Sequence, residues 1–355
     1  MRVVLAERRE FGEGSKLDEL ADLARTLDYE IVGALQQVRE PDPAYQIGRG
    51  KAKELAELVK RTGAERVIFY NQLTPTQAFK LSQLAGVEVI DRFQLILEIF
   101  AMRAGSPEAK LQVEYAKLAY ELPRIRERVR ALLSSEQPGL RGGGEYEVNV
   151  YYDMIRRRMV NLRRKLEAIA KSREQRRKLR RRRGFKLVAI AGYTNAGKST
   201  LLNALTAGKA EVDDMLFTTL TPRTRAVRSS KTILLTDTVG FIDGLPPWLI
   251  EAFKATLEEI YLAELVVLVV DISEPMHEIL RKLQTSREIL SDHPMKVIVA
   301  LNKIDLLQPQ ELERRVKILR EIALPVVPIS AKLGTNLDIL LDAIRTEIFD
   351  GGAAR

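Results

Sequence analysis

Lys186-Leu187-Val188-Ala189-Ile190-Ala191-Gly192-Tyr193-Thr194-Asn195-Ala196-Gly197-Lys198-Ser199-Thr200 opens the C-terminal half of this chain. Its first six residues read as a buried strand, and Leu201-Leu202-Asn203-Ala204-Leu205 behind it as a helix. Between them lies the spacing G-x-x-x-x-G-K-S/T, a phosphate cradle. Gly192 and Gly197 allow backbone conformations closed to residues with a Cβ. Backbone N–H groups from Asn195, Ala196 and Gly197 through Thr200 then turn inward around phosphate oxygens. The helix starting near Lys198 adds its positive dipole end. Lys198 reaches the β- and γ-phosphates, and the Ser199 hydroxyl is a ligand for Mg²⁺.

Working outward, Thr232-Ile233-Leu234-Leu235-Thr236-Asp237-Thr238-Val239-Gly240 is a strand ending in D-x-x-G. Asp237 at the strand end can hold Mg²⁺ through water, and Gly240 can offer its N–H to a γ-phosphate. Leu216-Phe217-Thr218-Thr219-Leu220-Thr221-Pro222 stands between the two motifs. A threonine there, Thr219 first and Thr218 second, can bind Mg²⁺ and the γ-phosphate only while that phosphate exists, so its loss releases the loop. Lys198, Thr219 and Gly240 are the expected catalytic set. Farther on, the strand Val297–Leu301 leads into Asn302-Lys303-Ile304-Asp305. The Asp305 carboxylate can accept hydrogen bonds from guanine N1–H and N2–H₂; adenine offers neither, and a site built for such donors rejects analogues lacking them. The stem of Lys303 packs along the base, and the backbone of Ser330-Ala331-Lys332 can contact guanine O6. Each motif falls on a strand-to-loop junction, where open α/β sheets bind ligands. The ligand set expected is GTP or GDP with Mg²⁺.

With 355 residues, two domains are expected. The composition, 46% hydrophobic and 30% charged, is globular. There is no cysteine, which excludes disulfides, thiolate metal sites and cysteine nucleophiles. His277 and His293 have no metal-ligand spacing. Charges interrupt Met1-Arg2-Val3-Val4-Leu5-Ala6-Glu7 too early for a signal peptide, and the longest apolar run, Leu265–Val270, is short of a membrane span; a cytoplasmic location is expected. The net charge of +9 points to a polyanionic partner, nucleic acid or an anionic membrane.

Residues 1–104 alternate β-rich runs (Arg2–Leu5, Glu30–Ala34, Arg66–Tyr70, Val87–Ile90) with helical ones (Leu17–Leu27, Lys51–Arg61, Thr76–Leu84), the signature of a parallel sheet. Residues 105–183 read as a helical hairpin. Its first helix is Pro107–Ser135, with Pro123 a kink or break. A glycine-rich loop spans 137–145, and a second helix runs from about Val150 to Arg183, with Gly184 as its C-cap. Residues 184–350 carry six β-rich runs beginning at Lys186, Arg225, Lys231, Leu265, Lys296 and Pro325.

These residues resemble the HflX family of ribosome-associated GTPases. In the C-terminal half the resemblance rests on Gly192–Thr200, Phe217–Pro222, Asp237–Phe241, Ala252–Ile260 and Asn302–Asp305. In the N-terminal half it rests on Gly48-Arg49-Gly50-Lys51, Val89-Ile90-Asp91-Arg92, Ile96–Ala104 and Lys110–Glu114 through Leu122-Pro123-Arg124. The family often reads R-G-P-G-E where Arg141-Gly142-Gly143-Gly144-Glu145 stands here. The resemblance implies an α/β architecture, an N-terminal parallel α/β domain with a long helical hairpin followed by a Ras-like P-loop G domain. It implies a GTPase switch that binds the large ribosomal subunit and serves rescue or splitting of stalled ribosomes under stress. Ras-like enzymes often place a water-orienting glutamine after D-x-x-G; Phe241 stands there, so hydrolysis is expected to be slow alone and stimulated by a partner. Arg176, Arg177, Lys178, Arg180, Arg181, Arg182 and Arg183 are the expected contacts to rRNA phosphates. The alternatives are a solvated charged face, weak contact with an anionic membrane, or an RNA-binding module that holds GTP as a structural ligand. No obligate protein partner is evident.

Overall fold

The computed structural model describes residues 1–135, 143–206, 223–227, 230–238, 240–241, 246, 248–249, 259–290, 295–322 and 325–350. The chain divides into two compact units. The first comprises Met1–Ala104 with Lys110–Leu166, the second Gly105–Ala109 with Glu167–Arg355. The helices read from sequence as a separate 105–183 segment are thus shared between the units.

In the first unit β1 (Arg2–Arg9), α1 (Leu17–Arg25), β2 (Glu30–Val38), α2 (Arg49–Thr62), β3 (Arg66–Phe69), α3 (Pro75–Ala85), β4 (Glu88–Asp91) and α4 (Arg92–Arg103) alternate strictly. The strands form one parallel sheet in the order β2-β1-β3-β4. A parallel strand needs a crossover, and α1, α2 and α3 each supply one. Val3, Val4, Leu5 and Ala6 are all buried, as expected of a strand covered on both faces. Helix α4 has no amphipathic stripe, because Phe93, Leu95, Ile96, Leu97, Ile99 and Phe100 are all buried and wrap its circumference.

Asp91 organises this unit. Its carboxylate caps α4 by accepting from Gln94 N at 3.0 Å, accepts from Leu73 N at 3.1 Å, and pairs with Arg124 at 3.0 Å. Arg124 also donates to the Leu73 carbonyl at 2.6 Å and lies 3.7 Å from the centre of the Tyr120 ring. The sequence stretches Val89–Arg92 and Leu122–Arg124 are therefore the two halves of one buried ion pair.

Of the kink or break expected at Pro123, the break is absent: helix α5 (Pro107–Ser135) runs through it. An internal proline costs about 3 kcal/mol; the buried contacts of Val113, Ala116 and Tyr120 and the adjacent Arg124 pair offset it. Helix α6 (Gly143–Arg182) starts at Gly143 rather than Val150. Two glycines at its beginning cost about 1 kcal/mol each, which a helix of 40 residues outweighs. Gly184 closes it at φ 78°, with Phe185 N donating to Arg180 O at 3.1 Å. Glu114 on α5 pairs with Arg158 at 2.6 Å and Glu108 with Arg173 at 2.5 Å, so the two helices run antiparallel.

The second unit is built on a six-stranded sheet, β5 (Lys186–Gly192), β6 (Arg223–Val227), β7 (Ser230–Asp237), β8 (Leu265–Asp271), β9 (Lys296–Asn302) and β10 (Val326–Pro328), in the order β10-β9-β8-β5-β7-β6. All pairings are parallel except that of the edge strand β6. Alternation along β5 divides the core in two. Val188 and Ile190 pack with Leu201, Leu202 and Leu205 of α7 (Lys198–Leu205) and with Leu340 and Ile344. Ala189 and Ala191 pack with Ile279, Leu283 and Leu319 on the other face. Each of the buried Val, Leu and Ile side chains contributes about 1.5–3 kcal/mol. Among the described residues no helix is long and apolar enough to cross a membrane.

Asp91→Ala leaves the Arg124 guanidinium without its buried counter-charge, and breaking such a pair costs about 3–5 kcal/mol. We expect urea denaturation to show a loss of that size in the first unit; a loss under 1 kcal/mol contradicts the assigned role.

Candidate nucleotide site

The register of the second sheet gathers the motifs on one edge. Ile190 pairs with Asp237, Gly192 with Val269, and Asp271 with Asn302. The chain turns to opposite sides at β5, whose neighbours are β7 and β8. The crevice at the carboxyl end of β5 is therefore the topological switch point where open α/β sheets bind ligands.

The phosphate loop fills it. Gly192 has φ 143° and Gly197 φ 93°; a Cβ on the first would overlap the Val269 carbonyl and on the second the Asn302 amide. Asn195, at φ 61°, is exposed and is a residue type that tolerates this conformation. Lys198 is buried and donates to the Tyr193 carbonyl at 2.6 Å. Burial lowers its pKa to about 8, and the carboxylate of Asp237 partly opposes the shift. Ser199 Oγ donates to Asp237 Oδ2 at 2.7 Å, with Thr200 beside it in the first turn of α7. Ser199 and Asp237 thus present adjoining oxygens, the donor type a hard divalent cation takes. Among the described residues no group of three His, Cys, Asp or Glu side chains could hold a metal alone; Mg²⁺ typically takes one or two protein oxygens and completes its shell from phosphates and water.

The D-x-x-G end is zipped to the phosphate loop. Phe241 N donates to Gly192 O at 2.9 Å, and Thr194 N donates to Phe241 O at 3.0 Å. Thr238 Oγ1 donates to Ile190 O at 2.9 Å. Gly240 lies so close to Thr194 and the Lys198 ammonium that a Cβ would collide with both. Phe241 is buried, packed edge-on against Tyr193 with ring centres 6.3 Å apart. Its side chain belongs to the core and has no polar atom to offer water. Val239 and the segment Leu216–Pro222, with Thr218 and Thr219, lie outside the described residues. So do 252–258 of the Ala252–Ile260 stretch and 136–142 of the glycine-rich loop.

On the base side, Asn302 Nδ2 donates to the Ala196 carbonyl at 2.8 Å, while Asn302 Oδ1 accepts from Ala331 N at 2.9 Å. Ser330 Oγ donates to Asp305 Oδ1 at 2.5 Å, so its side chain orients the carboxylate. Asp305 and Lys332 are exposed. Lys303 takes φ 67° and its ammonium lies 2.6 Å from Asp271 Oδ2. Asp271, Tyr193 and Thr194 are the members that sequence reasoning missed. Asp271 carries one signal: like Asp237 and Asn302, it ends a strand.

The basic run divides. Arg176, Lys178, Arg180, Arg182 and Arg183 are exposed, and the side chain of Arg181 lies outside the described ones. Arg177 departs from expectation. Its side chain is 11% exposed and faces Glu259 at 4.0 Å, so it is turned away from solvent phosphates.

A phosphate cradle at the switch point, a D-x-x-G strand zipped to it and an N-K-x-D strand beside it define a P-loop GTPase. Comparisons with known proteins agree along the chain. Family models match residues 14–101 (GTP-binding GTPase N-terminal), 103–180 (GTP-binding GTPase middle region) and 187–303 (50S ribosome-binding GTPase). The GTPase HflX of Thermococcus kodakarensis is 47% identical, covering 97% of this chain and 80% of the relative. That of Escherichia coli is 37% identical, covering 97% and 82%. A crystal structure of a GTP-binding protein from Sulfolobus solfataricus in complex with GDP aligns over 98% of both chains at 28% identity, with a TM-score of 0.52. The chain belongs to the HflX family of GTPases.

Phosphates brought to Lys198 stabilise its charged form, so binding takes up a proton wherever the lysine would otherwise be neutral. We expect GDP affinity to be level below about pH 8 and to fall as pH rises above it, read by titration calorimetry across that range. Affinity that holds steady to pH 9.5 contradicts the buried-lysine account.

Proposed function

We propose that this GTPase is a cytoplasmic, ribosome-stimulated switch that acts on the large ribosomal subunit in rescue or splitting of stalled ribosomes under stress. The observation that carries the reading is the match of the nucleotide-binding unit to the 50S ribosome-binding GTPase model over residues 187–303. The exposed arginines at the end of α6 support it, since rRNA phosphates are the polyanion such a face attracts.

In this reading Gly192, Asn195, Ala196, Gly197, Lys198, Ser199 and Thr200 hold the phosphates. Asp305, Lys303, Asn302 and the Ser330–Lys332 backbone hold guanine. Ser199, Asp237 and Thr219 would hold Mg²⁺, which when bound would supply positive charge against the phosphates. Water attacks the γ-phosphorus in line with the bond to the leaving β-phosphate oxygen, yielding GDP and phosphate. Lys198 and the Gly240 N–H stabilise the charge that develops. Phe241 cannot orient the water. One missing contact of this kind is worth about 3–4 kcal/mol, by analogy with oxyanion-hole losses, so turnover is slow until a partner orders the site.

The test is co-sedimentation of the full chain with purified large subunits across a salt series. Five exposed basic residues (Arg176, Lys178, Arg180, Arg182 and Arg183) making one phosphate contact each weaken binding roughly 10²–10³-fold between 50 and 200 mM salt. Replacing those five with glutamine flattens the dependence. Arg177→Gln lowers thermal stability and leaves the salt slope unchanged. A slope that survives the five replacements sinks the assigned rRNA face.

A further inference from the structure

We propose that Asp271 is a positioning residue for guanine recognition: its carboxylate anchors the Lys303 ammonium so that the lysine stem forms one wall of the base slot. The inference rests on the base-site reading above and adds to it a residue from a strand that carries none of the nucleotide motifs.

Asp271 ends β8 and pairs in register with Asn302, the residue before Lys303. Its Oδ2 lies 2.6 Å from Lys303 Nζ, and its side chain is 8% exposed. Its Oδ1 accepts from Ser273 N at 2.9 Å and from Ser273 Oγ at 2.6 Å, so both oxygens have fixed partners. The loop that follows is braced as well. Ile272 N donates to Asn302 O at 3.0 Å, and Arg315 donates to the carbonyls of Ile272 at 2.7 Å and Glu274 at 2.6 Å. The carboxylate therefore stands on a rigid mount.

Lys303 needs such an anchor. Its backbone sits at φ 67°, a conformation that residues with a Cβ resist. Its side chain is long and loses much rotational freedom when held in one line. Fixing the ammonium at its far end extends the stem from the 302–303 corner toward β8. Asn302 and Asp305 have their own holders, the Ala196 carbonyl with Ala331 N and the Ser330 hydroxyl. Asp271 completes the set, so every polar member of N-K-x-D is held from behind by another part of the unit.

The base is common to GTP and GDP, which sets the readout. Losing a fixed charge-assisted contact in a partly buried site is expected to raise dissociation about 10-fold. Asp271→Asn should raise the dissociation rates of a fluorescent GDP analogue and of a non-hydrolysable fluorescent GTP analogue by the same factor. The KM for GTP should rise by a larger factor than kcat changes, since the loss falls on binding of the base. In a Lys303→Met background, which keeps most of the stem and loses the ammonium, adding Asp271→Asn should raise dissociation no further. An unchanged rate in Asp271→Asn, or an equal increase in the Lys303→Met background, overturns the inference. If Asp271→Asn does not fold, Ser273→Ala, which frees one carboxylate oxygen, should give a smaller rise in the same direction, and no rise overturns it. Asp305→Asn separates the two levels. If it keeps wild-type guanine affinity, the base-site reading itself fails; if it loses guanine while Asp271→Asn does not, only the role of Asp271 fails.

Discussion

The side-chain amide of Asn302 joins the two halves of the nucleotide site. One end donates to the Ala196 carbonyl inside the phosphate loop, and the other accepts from the Ala331 amide in the loop after β10. Both bonds are buried, where an unmet polar group costs about 1–3 kcal/mol, so neither loop can drift without exposing the loss. Gly197 has no Cβ because the Asn302 amide occupies that space. The phosphate cradle and the base pocket are consequently one rigid object mounted on the ends of β5 and β9. The D-x-x-G segment is fastened to the same object through the Gly192–Phe241 and Thr194–Phe241 backbone bonds.

That fastening has a consequence for chemistry. The two backbone bonds orient Phe241 so that its ring enters the core beside Tyr193. Ground-state binding needs only the cradle and the base pocket, and both are preassembled. The transition state needs in addition a group that positions water, and the residue after Gly240 is committed to packing. In the proposed mechanism, binding without a partner and slow unaided turnover both follow from this local geometry. The end of α6 adds a physical link: Arg177 reaches Glu259, in the stretch that follows the D-x-x-G segment. The exposed arginines on either side of Arg177 therefore belong to a helix end that faces Glu259, just ahead of β8, across the same ion pair.

Much of this was legible in residue order. The strand–loop–helix around Lys198 and the apolar run Leu265–Val270 of β8 announce themselves, because burial on both faces leaves little room for polar residues. Helix α4 did not, since a helix buried all round shows no stripe. The strands β1 and β2 run past Leu5 and Ala34 to Arg9 and Val38, where charged and polar side chains hide a continuing backbone ladder. In the basic run, Arg173 and Arg177 are four residues apart and share a face that meets Glu108 and Glu259; a uniformly charged string conceals which cations turn inward. Asp271 left only the signal of ending a strand, because its role depends on strand register, which no local pattern encodes.

In the proposed mechanism the nucleotide site is complete for binding and incomplete for hydrolysis until the large ribosomal subunit is present. The direct measurement is single-turnover GTP hydrolysis by the full chain, with and without purified large subunits, at 50 and 200 mM salt. Slow turnover alone and an acceleration of about 10²–10³-fold with subunits, strongest at low salt, are expected. Rapid turnover alone that subunits leave unchanged contradicts it.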